Sequence, residues 1–246
     1  MGNQSKKCFF DIKASVDGNS ADVFIYGEIT KWAWEEFGEM SSTIFKEKLD
    51  EAGDVETIHL YVNSPGGSVF EAIAMANMLK RHKAHVIAHV DALAASAASF
   101  FIMIADEIRM PSNSMLMIHN AWTWTSGNAN ELRKAADDLD RINQSAIQMY
   151  LDKAGDKLSE ETLKELLDNE TWLSADEAFN YGLCDVVEES NHMAASITDK
   201  YKQHYRNVPR QLQKLIPSAM SAEEKTLREQ ILADSKVNQL YLKTIL

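Results

Sequence analysis

Three apolar runs, punctuated by turns and one stretch of helical period, restrict this chain to a narrow set of folds. Thr57-Ile58-His59-Leu60-Tyr61-Val62 reads as a strand and is cut off by Asn63-Ser64-Pro65-Gly66-Gly67. A helix is predicted next, about Ser68 to Arg81, with Val69, Ala72, Ala76 and Leu79 on one face. His85 to Val90 then returns as a strand. Strand, helix and strand in so short a span make a β-α-β unit, whose strands lie parallel with a right-handed crossover. Val23-Phe24-Ile25-Tyr26 supplies an earlier strand ending at Gly27. Ile108-Arg109-Met110 and Met115-Leu116-Met117-Ile118 supply later ones around a Pro111-Ser112-Asn113 turn. Asp91 and Ala92 are read as a turn into an alanine-rich helix, about Ala94 to Ile104. The predicted class is α/β, a mainly parallel sheet with helices on its faces.

From Gly127 to Gly155 the pattern changes. Leu132, Ala135, Leu139, Ile142, Ala146 and Met149 recur at steps of three and four, the mark of a long amphipathic helix. Its apolar stripe is narrow, so it packs either on its own domain or on a second subunit. A short helix is expected from Glu160 to Leu167. Another starts at Ser174 with the capping-box spacing to Glu177 and ends at Gly182, before a strand over Leu183 to Val187. Pro209 and Pro217 interrupt the tail, and Ala222 to Leu246 reads as helical.

Composition narrows the function classes. The 246 residues carry a net charge of −12, which argues against a nucleic-acid surface. No apolar run reaches the ~18 residues that span a bilayer, and Asp11 and Lys13 follow the first residues too closely for a secretory signal. A cytoplasmic protein without membrane contact is expected. Cys8 and Cys184 make neither a disulfide framework nor a metal-ligand pair, and Cys184 is expected in the core. Residues 199–246 hold nine Lys/Arg and five Asp/Glu, a net of +4, so residues 1–198 carry −16. The chain is accordingly divided into a body, 1–189, and a helical C-terminal extension, 190–246.

The chemistry-bearing residues stand at strand ends. Two glycines at the turn before Ser68 let the backbone approach a ligand, although a Gly pair is also what a mere tight turn needs. Ser96, among small residues at a helix start, has room for a carbonyl and backbone amides beside it, or is simply a cap. His119 follows a strand and can reach a neighbouring helix start. His85 and His89 share one strand face and are read as structural, or at most as a chance metal pair.

Taken together, these segments resemble one family. Tyr61-Val62-Asn63-Ser64-Pro65-Gly66-Gly67-Ser68-Val69 resembles the glycine-rich segment of the Clp protease proteolytic subunits, Ala94-Ala95-Ser96-Ala97 their nucleophile segment, and Met117-Ile118-His119-Asn120 their histidine segment. Leu173 to Ala178 with Tyr181-Gly182-Leu183-Cys184-Asp185 resembles the segment after the acidic triad member. The order and spacing hold from about Asp22 to Val187. The resemblance implies a spiral of β-α-β units shared with crotonases, and a serine endopeptidase with Ser96 as nucleophile, His119 as base, and the N–H groups of Gly67 and Ala97 as oxyanion hole. At the third position the family usually has Asp where this chain has Glu170; Asp168 is the alternative acid. No metal or organic cofactor is implied. The implied partners are peptide or unfolded-protein substrates and copies of the same chain in heptameric rings stacked in pairs, with the long helix at the ring–ring contact. An AAA+ unfoldase or phage capsid proteins are further partners. The short polar lead and long tail resemble the Clp-like peptidases of phages and prophages that mature the head. Two competing readings are a catalytically silent ring-forming scaffold and a crotonase-like acyl-CoA enzyme; crotonases do not need a Ser–His pair at positions 96 and 119.

Overall fold

A computed structural model describes residues 13–14, 19–33, 39–190 and 205–209. The chain divides into two compact units, Met1–Gln213 and Lys214–Leu246, and every described residue belongs to the first. The helix expected from Ala222 to Leu246, Cys8, and most of the expected 190–246 extension lie outside the described residues.

The strands are β1 (Lys13–Ala14), β2 (Ser20–Ile25), β3 (Glu28–Ile29), β4 (Thr57–Ser64), β5 (Gly66–Gly67), β6 (His85–Ala95), β7 (Glu107–Pro111), β8 (Met115–Ile118), β9 (Thr171–Ser174) and β10 (Val186–Glu188). The helices are α1 (Ser42–Ala52), α2 (Val69–Arg81), α3 (Ala97–Phe101), α4 (Ala129–Ala154), α5 (Glu160–Asp168) and α6 (Ala175–Asn180). One sheet runs in the order β1-β2-β4-β6-β7-β10, with β8 also on β6 and β9 on β8. The β2, β4, β6, β7 and β10 neighbours are parallel, as the short β-α-β spacing requires, while β1 and β9 pair antiparallel. The α/β expectation holds.

Alternation places the core. In β2 and β4, Ala21, Val23, Ile25, Ile58, Leu60 and Val62 are buried, and the residues between them stand on the other face. That face carries a stack: Phe24 on Tyr61 at 4.8 Å, and Tyr61 on the His89 ring at 4.7 Å. The two histidines read as a pair have separate partners. His89 Nε2 lies 3.2 Å from His59 Nδ1, and His85 Nδ1 lies 3.3 Å from Asp106. Burial holds His89 down to about 4, so it stays neutral in the stack. Cys184 is buried, and its thiol is pushed up to about 11 by that burial.

One expectation fails at β6. The strand does not turn at Asp91 but continues to Ala95, and the helix beyond is only five residues, followed by a 3₁₀ turn over Ile102–Ile104. Alanine favours helix, but tertiary pairing overrides it here. Ala94 pairs with Ser64 on one side, and Leu93, Ala94 and Ala95 pair with Met115, Leu116 and Met117 on the other. Asp91 is thus mid-strand, and its carboxylate accepts a hydrogen bond from the Tyr26 hydroxyl.

Two further elements carry their own signals. The Ser68 and Ser41 side chains cap α2 and α1. Helix α4 begins at a capping box, Asn128 with Glu131, and ends at Gly155 with φ 57°. Its 26 residues span about 39 Å, yet only Ile147, Tyr150 and Ala154, all in its last turns, are buried. Leu132, at the start of the apolar stripe, is exposed.

Candidate active site

Three strand ends and one turn converge. At the end of β4, the buried Ser64 hydroxyl donates to Gly27 O at 2.5 Å and accepts from Gly66 N at 3.1 Å, which pins the double-glycine turn. Gly66 and Gly67 then pair with Glu28 and Ile29 as a short parallel ribbon. Glycine is required at both places. A Cβ on Gly66, at φ +90°, would stand 2.4 Å from Ala95 O, 2.7 Å from Ser96 Cβ and 2.8 Å from Ala97 N. One on Gly67 would stand 2.1 Å from Ile29 O. The turn therefore lies directly against the end of β6, with its first glycine on the peptide that carries the Ala97 N–H. That N–H opens α3 and has no partner within the helix.

Ser96 stands at the break between β6 and α3 with φ 54° and ψ −124°, a strained conformation for a residue with a Cβ. Three bonds hold it there. Its N–H donates to Met117 O at 2.9 Å, and its carbonyl accepts from the Ser99 N–H at 2.9 Å and the Ser99 hydroxyl at 2.6 Å. Ser99 Oγ in turn lies 2.5 Å from the hydroxyl of the buried Tyr150 of α4. Because Ser99 spends its proton on the Ser96 carbonyl, Tyr150 must be the donor in that contact.

His119 follows β8, and its Nε2 lies 2.7 Å from Ser96 Oγ. Burial first, and the charge of Arg206 second, hold the imidazole down to about 4, so it is neutral near pH 7. The antiparallel ladder of β8 and β9 ends at the pair Ile118–Thr171, and His119 and Glu170 are the residues just past it on the two strands. Glu170 is 3 % exposed and has φ 49°. Its Oε1 accepts from the Asn207 backbone N–H at 2.8 Å. Asp168, at the end of α5, is exposed and accepts from Asn120 Nδ2 at 2.6 Å. Among the described residues, no hydrogen bond joins either carboxylate to the imidazole. The structure thus brings Ser96, His119, Ala97 and the double-glycine turn together, with Glu170 just before β9 and bonded to Asn207, and Asp168 turned to Asn120.

Residues 13–191 match the Clp protease family. The chain belongs to that family. Its relatives include an ATP-dependent Clp protease proteolytic subunit of Pleurastrum terricola, 30% identical over 56% of this chain and 71% of the relative. ATP-dependent Clp protease proteolytic subunits 2 of Synechococcus sp. (strain CC9605) and Treponema denticola are 30% and 28% identical, over 63% and 70% of this chain and 78% and 84% of the relatives.

The Clp-type site holds a second set of residues that no local motif announces. Tyr205, 109 positions beyond Ser96 in the numbering and only 7% exposed, packs with Leu93, Ala95 and Met117. Its hydroxyl donates to Pro65 O. Its ring meets His119 edge-on at 5.6 Å and Trp172 at 5.8 Å. Trp172 Nε1 is the one buried side-chain nitrogen or oxygen without a hydrogen-bond partner among the described residues. No group of three His, Cys, Asp or Glu among the described residues is placed to hold a metal ion, and no described helix is long and apolar enough to cross a membrane.

Proposed function

We propose that the chain is a Clp-type serine endopeptidase in which Ser96 is the nucleophile and His119 its base. The single observation that carries this reading is the 2.7 Å contact from Ser96 Oγ to Nε2 of a half-buried, neutral His119. A serine hydroxyl attacks a carbonyl only when its proton has somewhere to go. Here Ser96 Oγ bonds to the carbonyl carbon while its proton passes to Nε2. The N–H groups of Gly67 and Ala97 hold the tetrahedral oxyanion. The imidazolium returns the proton to the leaving amine, which departs and leaves an acyl group on Ser96. Water then adds with His119 as base, and the carboxylic acid product leaves with the serine restored. Glu170 is the proposed acceptor for Nδ1–H, a role supported by its burial and by its place, like that of His119, just past the last β8–β9 pair. Asp168, engaged with Asn120, is the weaker alternative.

The proposed substrates are unfolded chains or short peptides, cut inside a cytoplasmic homo-oligomer of stacked heptameric rings. The apolar stripe that α4 leaves unburied supports a second copy as its cover. Maturation of phage or prophage capsid proteins is the proposed setting, with an AAA+ unfoldase as the alternative partner.

A fluorophosphonate probe tests the chemistry. The wild-type chain is expected to be labelled once, and Ser96→Ala not at all; native mass measured on the same sample is expected to be several times that of one chain. Ser96→Ala labelled as fast as wild type would end the assignment.

A further inference from the structure

Resting on that peptidase reading, we propose that residues 205–209 are an intramolecular latch that holds the site in a resting state by filling the cleft beside Ser96 and engaging Glu170 at once. Three separate contacts tie this short segment to the site. The Tyr205 ring fills the apolar space between Leu93, Ala95, Met117 and Trp172. Its hydroxyl donates to Pro65 O, just before the double-glycine turn. Asn207 donates its N–H to Glu170 Oε1 and its Nδ2 to Asn169 O, each at 2.8 Å.

The bond to Glu170 gives the segment a consequence. An imidazole held with its proton on Nδ1 needs an acceptor there, and Glu170 Oε1 already accepts from the Asn207 N–H. The Tyr205 ring meets His119 edge-on at 5.6 Å and packs on Ala95, the residue before Ser96. One segment thus draws the acid to itself and fills the cleft beside the nucleophile. Withdrawing it reverses both together, opening the cleft and freeing Glu170 for Nδ1–H.

The test uses the full chain and the rate at which a fluorophosphonate labels Ser96. Tyr205→Ala is expected to label at least tenfold faster than wild type. Tyr205→Phe keeps the ring and removes the hydrogen bond to Pro65 O, so an increase of several-fold is expected. The synthetic peptide Gln-His-Tyr-Arg-Asn-Val-Pro-Arg, the sequence of residues 203–210, is expected to slow the Tyr205→Ala variant back toward wild type. The same peptide with Ala for Tyr is expected to have no effect. The latch is overturned if both Tyr205 variants, folded by circular dichroism, label at or below the wild-type rate. Labelling of wild type but not of Ser96→Ala would show in that case that the peptidase reading still stands. If no folded form is labelled, the peptidase reading fails and the latch fails with it.

Discussion

Gly66→Ala puts the tightest contact of the site to a quantitative test. The added Cβ arrives 2.4 Å from Ala95 O, about 1 Å inside ordinary contact, and all three nearest atoms belong to the 95–97 segment. None is the far end of a flexible side chain, so the backbone itself must move. The φ of +90° adds strain of ~1–2 kcal/mol for a residue with a Cβ, and forced overpacking adds ~1–3 kcal/mol. A loss of ~2–5 kcal/mol is expected, a large share of the ~5–15 kcal/mol of a native domain. Relief separates the double-glycine turn from Ser96 and Ala97, and a ~1 Å error in such a site costs ~100-fold in rate. Gly53→Ala is the control. Gly53 also has positive φ, at +68°, but nothing lies within 4 Å of its Cβ position. It should lose only the ~1–2 kcal/mol of backbone strain and label at the wild-type rate. Urea unfolding and fluorophosphonate labelling of both variants measure the two effects. If Gly66→Ala unfolds at the same urea concentration as Gly53→Ala and labels normally, the close approach inferred for positions 66 and 95–97 is wrong.

Two further outcomes are expected. Tyr150→Phe strips the donor from the buried Ser99 hydroxyl that anchors the Ser96 carbonyl, so stability should fall by ~1–2 kcal/mol and labelling should slow several-fold; scanning calorimetry reads the first effect and the probe the second. As pH falls from 6.5 to about 4, an unfolded chain takes up a proton that buried His119 refuses, so stability should fall with it. The gap, at ~1.36 kcal/mol per pH unit, amounts to ~3 kcal/mol. Urea unfolding at pH 7.5 and 4.5 should show a steeper loss for wild type than for His119→Asn, and equal losses would contradict the burial argument.

Much of the fold was legible because periodicity is local. The β4 turn, α2, α4, α5 and the Ser174 cap follow from side-chain spacing and punctuation within a few residues. The same locality misread 91–95. A run of alanines looks like helix from within, and only the neighbouring β4 and β8 strands, far away in sequence, make it strand. α1 drew no reading at all, although Ser41 caps it and Phe45 and Leu49 face the core.

The candidate site divides the same way. Ser96, His119 and the Gly66-Gly67 turn stand in short motifs whose residue types suggest acyl-transfer chemistry one by one, and whose joint order points to the Clp family. Nothing within a motif states that Gly66 touches the Ala97 peptide, that Tyr150 steadies Ser96 through Ser99, or that Glu170 is bonded to Asn207. From the chain alone come the alternation of strand and helix and the identity of the reactive groups, since both depend on neighbours in sequence. The tertiary structure decided the strained φ at Ser96, the 2.7 Å approach of His119 to its hydroxyl, and the lodging of Tyr205 beside His119. Those depend on distances between strand ends that sequence separation does not encode.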